Sequence, residues 1–523
     1  MVNRIVGAGI GGTSTAYFLR QHFSDAEIVI VEEADQVGGR LATENVGGRN
    51  YEAGGSIIHP RNKLIAHFRD KFNLAKRETS SSAGGDDFAL YDGEGFVFRS
   101  SRWSLITWLR LLWRYGYDLI RVNSLISSML DSFCRIYDLQ NAGQSFTSVE
   151  RLLAAMSPRF VSMMQSSLRD FLIEEGVSLT FINELAEAAV RVNYDQSVSK
   201  VHAFVGSVAL AGMEGGLYSI AGGNRRIPEA LLAASKAKLV RCHVDAIRLK
   251  AVSSDGGGGM LSLLCPKAES AHAQQVISGL DYVVIAAPQI KDLSQLTFQD
   301  FPAGSVLNLA GRYQQTVATF VQGSLAPEAF HWLDPPPAQL PRQIMSINGS
   351  LFFASIAQNQ PVDQGPASRS AQFCQQMTGL GSWLSELFGL RGTSSSSSGS
   401  DPCAPDPPDR QVWKVFSPHR LGNAHLNHLF SSVHAVKELP WQAYPRYTRA
   451  GDFEQLNFQV APGVYYLNAI EWAASAMEMS ALSARNLALL IRNQHLGQRE
   501  LIDPSDHGGT PAGQSRLNKM GEL

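Results

Sequence analysis

One short run near the start, Arg4-Ile-Val-Gly-Ala-Gly-Ile-Gly-Gly12, constrains this chain more than any other. It reads as the end of a buried strand, a glycine turn and the start of a helix. Gly7, Gly9 and Gly12 have the spacing of a dinucleotide turn: the first glycine permits the bend, the second lets backbone approach a pyrophosphate, and the third lets helix and strand pack closely. The helix start would then face phosphate with unpaired N–H groups and its positive dipole end. A helix-like run, Thr13 to His22, and a strand-like run, Glu27 to Val31, follow in the expected order. Glu32 closes that strand about 20 residues past Gly12, where an acid accepts hydrogen bonds from ribose hydroxyls. A β-α-β unit without a nucleotide is the competing reading, and the three parts in sequence weigh against it.

The segment Glu32-Glu-Ala-Asp-Gln-Val-Gly-Gly-Arg-Leu41 resembles the flavin amine oxidase superfamily, in which Gly-Gly-Arg follows the ribose acid. The resemblance implies FAD rather than NAD, with Gly38 and Gly39 close to the pyrophosphate and Arg40 adding positive charge beside it. A solvated surface charge is the other reading of Arg40. Further along, Glu52-Ala-Gly-Gly-Ser-Ile-Ile-His59 resembles the superfamily segment that runs beside the flavin, with Gly54 and Gly55 giving backbone access; a simple turn is an equal alternative. Leu217 to Leu232 resembles the second superfamily signature, and Val240 to Val244 reads as the strand after it. By the same resemblance the backbone of Val244 would hold the adenine. Asp281 to Pro288 resembles a strand ending near the cofactor, and Gly463 to Glu478 the last FAD element, in which Glu471 would lie near the flavin.

At 523 residues the chain is long enough for two to four domains. The implied fold class is α/β: a Rossmann-type FAD-binding domain of the flavin amine oxidase type, interleaved with an α+β substrate domain. The expected parts are an FAD-binding first part at 1–75, a helical, aromatic-rich insertion at 76–212 and a second FAD-binding part at 213–297. A substrate domain at 298–445 holds short strands and a serine- and proline-rich stretch at 392–409 that is too polar to pack. A third FAD-binding part at 446–500 and a disordered tail at 501–523 complete the chain.

A net charge of −2 lends nucleic-acid binding no electrostatic support. The five cysteines show no close pair, so neither a metal site nor a C-x-x-C redox motif is expected. The sequon at Asn348 reads as a chance match. No uninterrupted apolar run reaches the ~18 residues of a membrane span. Between Trp103 and Phe133, tryptophan, tyrosine, leucine and isoleucine crowd together at roughly helical spacing, with Arg110 and Arg114 among them. Three readings stand: an amphipathic core helix, the wall of a wide apolar pocket, or a face for peripheral membrane contact.

One stretch is more specific than the shared FAD motifs. Tyr466-Leu-Asn-Ala-Ile-Glu-Trp-Ala-Ala-Ser475 resembles the C-terminal signature of prenylcysteine oxidases, also called farnesylcysteine lyases. Gly38-Gly-Arg-Leu-Ala-Thr43, Phe133-Cys-Arg-Ile-Tyr137 and Glu438 to Pro445 agree with it, and the similarity runs from about Arg4 to Asn493. The resemblance implies an FAD-dependent thioether oxidase acting on free farnesyl- or geranylgeranyl-cysteine, a small lipid-like substrate, with oxygen as acceptor. The products would be cysteine, a prenyl aldehyde and hydrogen peroxide. In such chemistry the cofactor performs the demanding step, so no catalytic side chain stands out; His59, His202 and Tyr218 lie in suitable regions. The family implies a lysosomal or secretory location. No signal peptide is visible before Gly7, so a cytosolic location stays open. Another flavin oxidase, or an FAD- and lipid-binding homologue without turnover, are the alternatives.

Overall fold

The computed structural model describes residues 2–78, 88–101, 103–213, 215–250, 260–267, 270–290, 293, 296–302, 311–330, 340–363, 410–447 and 456–504. Its central layer is a six-stranded sheet gathered from three distant parts of the chain. The strand order is β20 (Gln459–Ala461), β21 (Val464–Tyr466), β13 (Tyr282–Ile285), β1 (Val2–Val6), β2 (Glu27–Glu32) and β9 (Lys238–Arg241). All neighbours are parallel except β20 and β21. The inner strands are continuous apolar runs, as a parallel sheet covered on both faces demands. Ile28 to Val31 are buried without alternation. Helices α1 (Ile10–His22) and α2 (Lys63–Lys71) belong to this first part of the fold.

The second large sheet has seven strands: β19 (Phe430–Pro445), β15 (Tyr313–Leu325), β18 (Val412–Ser417), β17 (Ser355–Asn359), β16 (Gln343–Ser346), β6 (Phe88–Tyr91) and β7 (Phe96–Arg99). Here the expected short strands need correction. β15 and β19 run 13 and 16 residues and pair along most of their length. The run from Leu351 to Ile356, an apolar stretch that reads as one of those short strands, bends through Leu351 to Ala354, and the strand begins at Ser355. Two small antiparallel pairs stand apart from these sheets: a hairpin of β3 (Thr43–Val46) with β4 (Arg49–Glu52), and β5 (Lys76–Glu78) with the remote β8 (Tyr218–Ile220). A four-stranded sheet of β10 (Ala246–Lys250), β11 (Met260–Lys267), β12 (Ser270–Leu280) and β14 (Thr297–Gln299) branches off beyond β9. The strand expected through Val244 therefore stops at Arg241, because the following residues cross to β10.

A run of helices fills the first insertion: α3 (Ser104–Tyr115), α4 (Asp118–Phe133), α5 (Arg135–Asn141), α6 (Val149–Met156), α7 (Pro158–Gln165) and α8 (Leu168–Glu174). Next, α9 (Leu179–Phe181) passes through a π turn into α10 (Glu187–Tyr194), followed by α11 (Ala203–Ala211). Pro158 opens α7 at its first turn, where its missing N–H costs nothing. Gly176 turns the chain at φ +76°. Later come α12 (Arg226–Ser235), α13 (Asn423–Leu429) and α14 (Met477–His495). The tail expected to be disordered from 501 is corrected at its start. Asp503 accepts hydrogen bonds from Thr147 N and Oγ1 at 2.9 and 2.5 Å, and its own N–H reaches Ser145 O at 2.9 Å. The serine-rich stretch 392–409 and the rest of the tail, 505–523, lie outside the described residues.

Candidate functional site

The glycine turn sits between β2 and β13. Gly7 adopts φ +104°, and its N–H donates to Val31 O at 2.8 Å. A Cβ there would stand 2.9 Å from Ala286 O, and one on Gly12 would overlap Gly7 O. The protein's own packing therefore explains these two glycines. Gly9 differs, because a Cβ on it would meet nothing nearer than Gly38 O at 3.8 Å. It is also the N-cap of α1, with no side chain to cap the first turn and no acid within it. Space and unmatched helix donors coincide at Gly9, which is what an incoming phosphate requires.

The second glycine pair completes the cradle. Gly38 N donates to Ala8 O at 3.0 Å, and Gly9 and Gly38 form a parallel bridge. A Cβ on Gly39, at φ +56°, would come within 3.3 Å of Gly9 Cα. The two loops thus meet backbone to backbone. Glu32 closes the side: its Oε2 accepts from Ala8 N at 2.6 Å and its Oε1 from Ala34 N at 2.9 Å. Val244 is buried just past β9, where Cys242 N donates to Glu32 O at 3.0 Å. These contacts bring Gly7, Gly9, Gly12, Glu32, Gly38 and Gly39 together around one helix start.

Arg40 and Glu471 were read as two separate cofactor contacts, and the structure joins them to each other. The Arg40 guanidinium pairs with Glu471 and also donates to Ala443 O at 2.7 Å. Glu471 is 1% exposed and further accepts from Asn468 Nδ2 at 2.8 Å and Tyr313 OH at 3.1 Å. Burial works against the Arg40 charge, yet Glu471 more than offsets it, and the guanidinium titrates above its ordinary value. Burial, then the Glu471 charge, raises the Tyr313 phenol well above its ordinary value. The pair ties the 38–41 loop to the turn before α14. Gly54 belongs to the same seam, since a Cβ on it would overlap Arg40 O, and Gly55 N donates to that oxygen at 3.1 Å. The segment is more than a free turn: a Cβ on Gly55 would come 2.9 Å from the Leu41 side chain and 4.0 Å from Met477 at the start of α14.

Around this seam stand aromatic rings that the sequence did not single out as a group. Tyr313 meets Trp472 edge to face at 6.2 Å, and Tyr447 meets Tyr194 at 5.3 Å and His202 at 5.4 Å. Gly311 is required here, because a Cβ on it would overlap the Trp472 ring. His202 is fully buried. Its Nδ1 accepts from Val205 N at 3.3 Å as the cap of α11, and its Nε2 lies 3.0 Å from Trp472 O. That pattern calls for a neutral imidazole, and burial lowers its pKa to about 4. Its role is architectural. His59 is likewise occupied with a turn, its Nδ1 accepting from Arg61 N at 3.1 Å. The Tyr218 ring lies between Arg69 and Lys76, each 5.1 Å from its centre.

Lys414 and Glu52 also escaped the sequence reading. Lys414 is buried in β18, donates to Glu52 O at 3.0 Å, and is pushed by burial down to about 8. Burial likewise pushes the Glu52 carboxyl up to about 7, although it accepts from Asn224 N at 2.6 Å. A lysine set between Trp413 and Val415 in a strand was the available signal.

On this geometry the comparisons with known proteins can be set. Residues 98–378 and 385–504 match the prenylcysteine lyase family, and residues 5–72 an NAD(P)-binding Rossmann-like domain. The chain is 34% identical to mouse prenylcysteine oxidase 1 over 96% of its own length and 91% of that protein's. It is 34% identical to the human protein of the same name, covering 95% and 90%, and 31% to mouse prenylcysteine oxidase 1-like, covering 96% and 92%. Among solved structures it resembles a putative protoporphyrinogen oxidase from Exiguobacterium (TM-score 0.56, 14% identity, 94% of this chain and 99% of that one). It also resembles a fatty acid isomerase from P. acnes (0.55, 14%, 93% and 97%). At such identities the structures speak for the fold alone, which is that of the flavin amine oxidases. Match and likeness extend through the glycine cradle, the helical insertion and the final Arg40–Glu471 seam, and the chain belongs to the prenylcysteine lyase family.

Proposed function

We propose that this protein is an FAD-dependent thioether oxidase that cleaves free prenylcysteine. The observation that carries the reading is the cradle of Gly9, Gly38 and Gly39 at the start of α1, where a Cβ on Gly9 would meet no atom of the described residues nearer than 3.8 Å. It lies in a chain similar over nearly its whole length to proteins named prenylcysteine oxidase 1. The residues fit the cofactor: backbone donors of α1 for the pyrophosphate, Glu32 for the ribose, and the 54–55 segment for the ring system. When bound, FAD supplies a two-electron acceptor for the hydride on the prenyl carbon next to sulfur.

On the substrate, that carbon loses a hydride and gains the oxygen of water. The C–S bond then breaks, cysteine leaves as the thiol, and the prenyl chain leaves as the aldehyde. Oxygen takes up the two electrons with two protons and departs as hydrogen peroxide. The chain's own residues bind, orient and exclude water. Glu471 neutralises Arg40, so the loop that would hold the cofactor carries no net charge beside an apolar substrate. Tyr313, Tyr447 and Trp472 line the same seam with rings. Work in a lysosomal or secretory compartment is part of the same proposal, supported by family membership alone.

Purified protein should be yellow, and farnesylcysteine should bleach the flavin without oxygen and release peroxide with it. Bound flavin with no bleaching by farnesylcysteine would leave an FAD-binding homologue without this activity. Bleaching by simple amines instead would make it an amine oxidase.

A further inference from the structure

Helix α3 shows to solvent the residue types that a folded chain usually hides. Leu105, Leu109 and Trp113 form an i, i+4 ridge that is 68, 51 and 87% exposed, with Trp108 beside it at 53%. The opposite ridge of Thr107, Leu111 and Tyr115 turns inward. Its end is fastened: Glu184 accepts from Arg114 Nε and Nη2 at 2.7 and 2.8 Å and from Tyr115 OH at 2.8 Å. The helix is therefore held from its inner side, and the apolar ridge is displayed in a fixed direction. Tyr117 and Ile120 extend it onto α4, and both are exposed. Asp118 accepts from Ser178 N at 3.0 Å, which sets exposed Leu179 beside the start of α4. Nearly half of the exposed large hydrophobic side chains among the described residues fall between Trp103 and Ile120. Exposed apolar residues are ordinary when scattered, whereas a contiguous patch marks a contact surface.

Charge identifies the partner. From Gly95 to Tyr117 the sequence contains four arginines and no acid, in a chain whose net charge is −2. No helix among the described residues is long and apolar enough to cross a membrane, and α3, at 12 residues, is about 18 Å long. We propose that the α3–α4 hairpin docks on the anionic face of a lipid bilayer. α3 lies in the headgroup plane, its leucines and tryptophans enter the acyl boundary, and Arg110 meets the headgroups. Tryptophan suits this depth, being apolar in body with one polar N–H. A second copy of this chain is the poorer occupant, because a two-fold contact would bring the exposed Arg110 of each copy together, with no acid on α3 to answer it. The proposal stands on this surface and not on the proposed reaction.

The test is flotation of the full chain with phosphatidylcholine vesicles, with and without phosphatidylserine. The protein should float with the anionic vesicles, less with neutral ones, and less as salt rises. Trp108→Gln combined with Trp113→Gln should cut vesicle partitioning about tenfold or more, with melting temperature unchanged. Leu109→Glu serves as an independent second variant with the same expectation. No flotation at low salt, or flotation undiminished in both variants, overturns the proposal. So does a dimer at micromolar concentration that these variants dissolve, because the face would then be a contact between copies.

Discussion

Helices α1 and α3 are nearly the same length, 13 and 12 residues, and they invert the usual rule. α1 buries Thr13, Ser14 and Thr15 completely, while α3 exposes Leu105, Trp108, Leu109 and Trp113. In α1 the small residues are inside because the helix is pressed between sheet and neighbours: a Cβ on Gly12 would overlap Gly7 O, and one on Gly11 would come 2.6 Å from Leu467. The two threonine hydroxyls are absorbed by the helix itself, Thr13 Oγ1 donating to Gly9 O and Thr15 Oγ1 to Gly11 O, each at 2.9 Å. In α3 the outer ridge is exposed among the described residues. Hydropathy reports what a side chain would prefer, while closeness of approach decides what it receives.

The largest test of this contrast is in α1. Gly12→Ala forces backbone apart, and should cost about 3 kcal/mol or more, read as the shift of a urea unfolding curve. Gly9→Ala, which its extended backbone and surrounding space both admit, should keep near wild-type stability without cofactor yet lose flavin at least about tenfold in affinity. If Gly9→Ala retains flavin like the parent, the space at Gly9 is not for the cofactor.

Glu471→Ala comes next. It removes the partner of Arg40 from a buried seam, where breaking one half of an ion pair costs about 3 kcal/mol. Thermal unfolding should shift accordingly. Pairing Glu471→Ala with Arg40→Met should recover part of the loss, and no recovery would mean the two residues act independently.

His202 extends the test to pH. Its folded-state pKa of about 4 lies below the ordinary 6.5, so the unfolded chain binds its proton first. The native state therefore loses stability as pH falls from 6.5 toward 4, by up to about 3 kcal/mol at the low end. His202→Asn keeps a capping side chain without a titrating ring. The stability difference between variant and parent should thus change across that window and stay flat above pH 7. A parallel pair of curves from pH 4 to 7 would show that His202 is not held neutral.

The smallest effect belongs to α3. Trp113→Gln alone should move stability by no more than about 0.5 kcal/mol, despite replacing a tryptophan. A loss of several kcal/mol there would erase the contrast with α1.

How much was legible beforehand depends on the range of each interaction. The strand–turn–helix–strand unit, its acid at Glu32 and the resemblance of Tyr466 to Ser475 could all be read from neighbours in sequence, because a glycine turn and a helix start are built within a few residues. The lengths of β15 and β19 were not legible. Their pairing partner lies over a hundred residues away, and an antiparallel ladder extends a strand beyond its local propensity. The ordered position of Asp503 was hidden for the same reason, since its partners Ser145 and Thr147 are remote.

The site divides the same way. By itself the sequence determined that a dinucleotide turn exists, which glycines form it and which family signature ends the chain, since steric permission is a property of residue type and spacing. Only the tertiary structure decided that Arg40 and Glu471 answer each other, that Lys414 lies against Glu52, that His202 serves as a buried cap, and that the tryptophans of α3 face outward. Each of these depends on which charge, carbonyl or empty space stands opposite, and that is settled when distant segments meet and water is expelled between them.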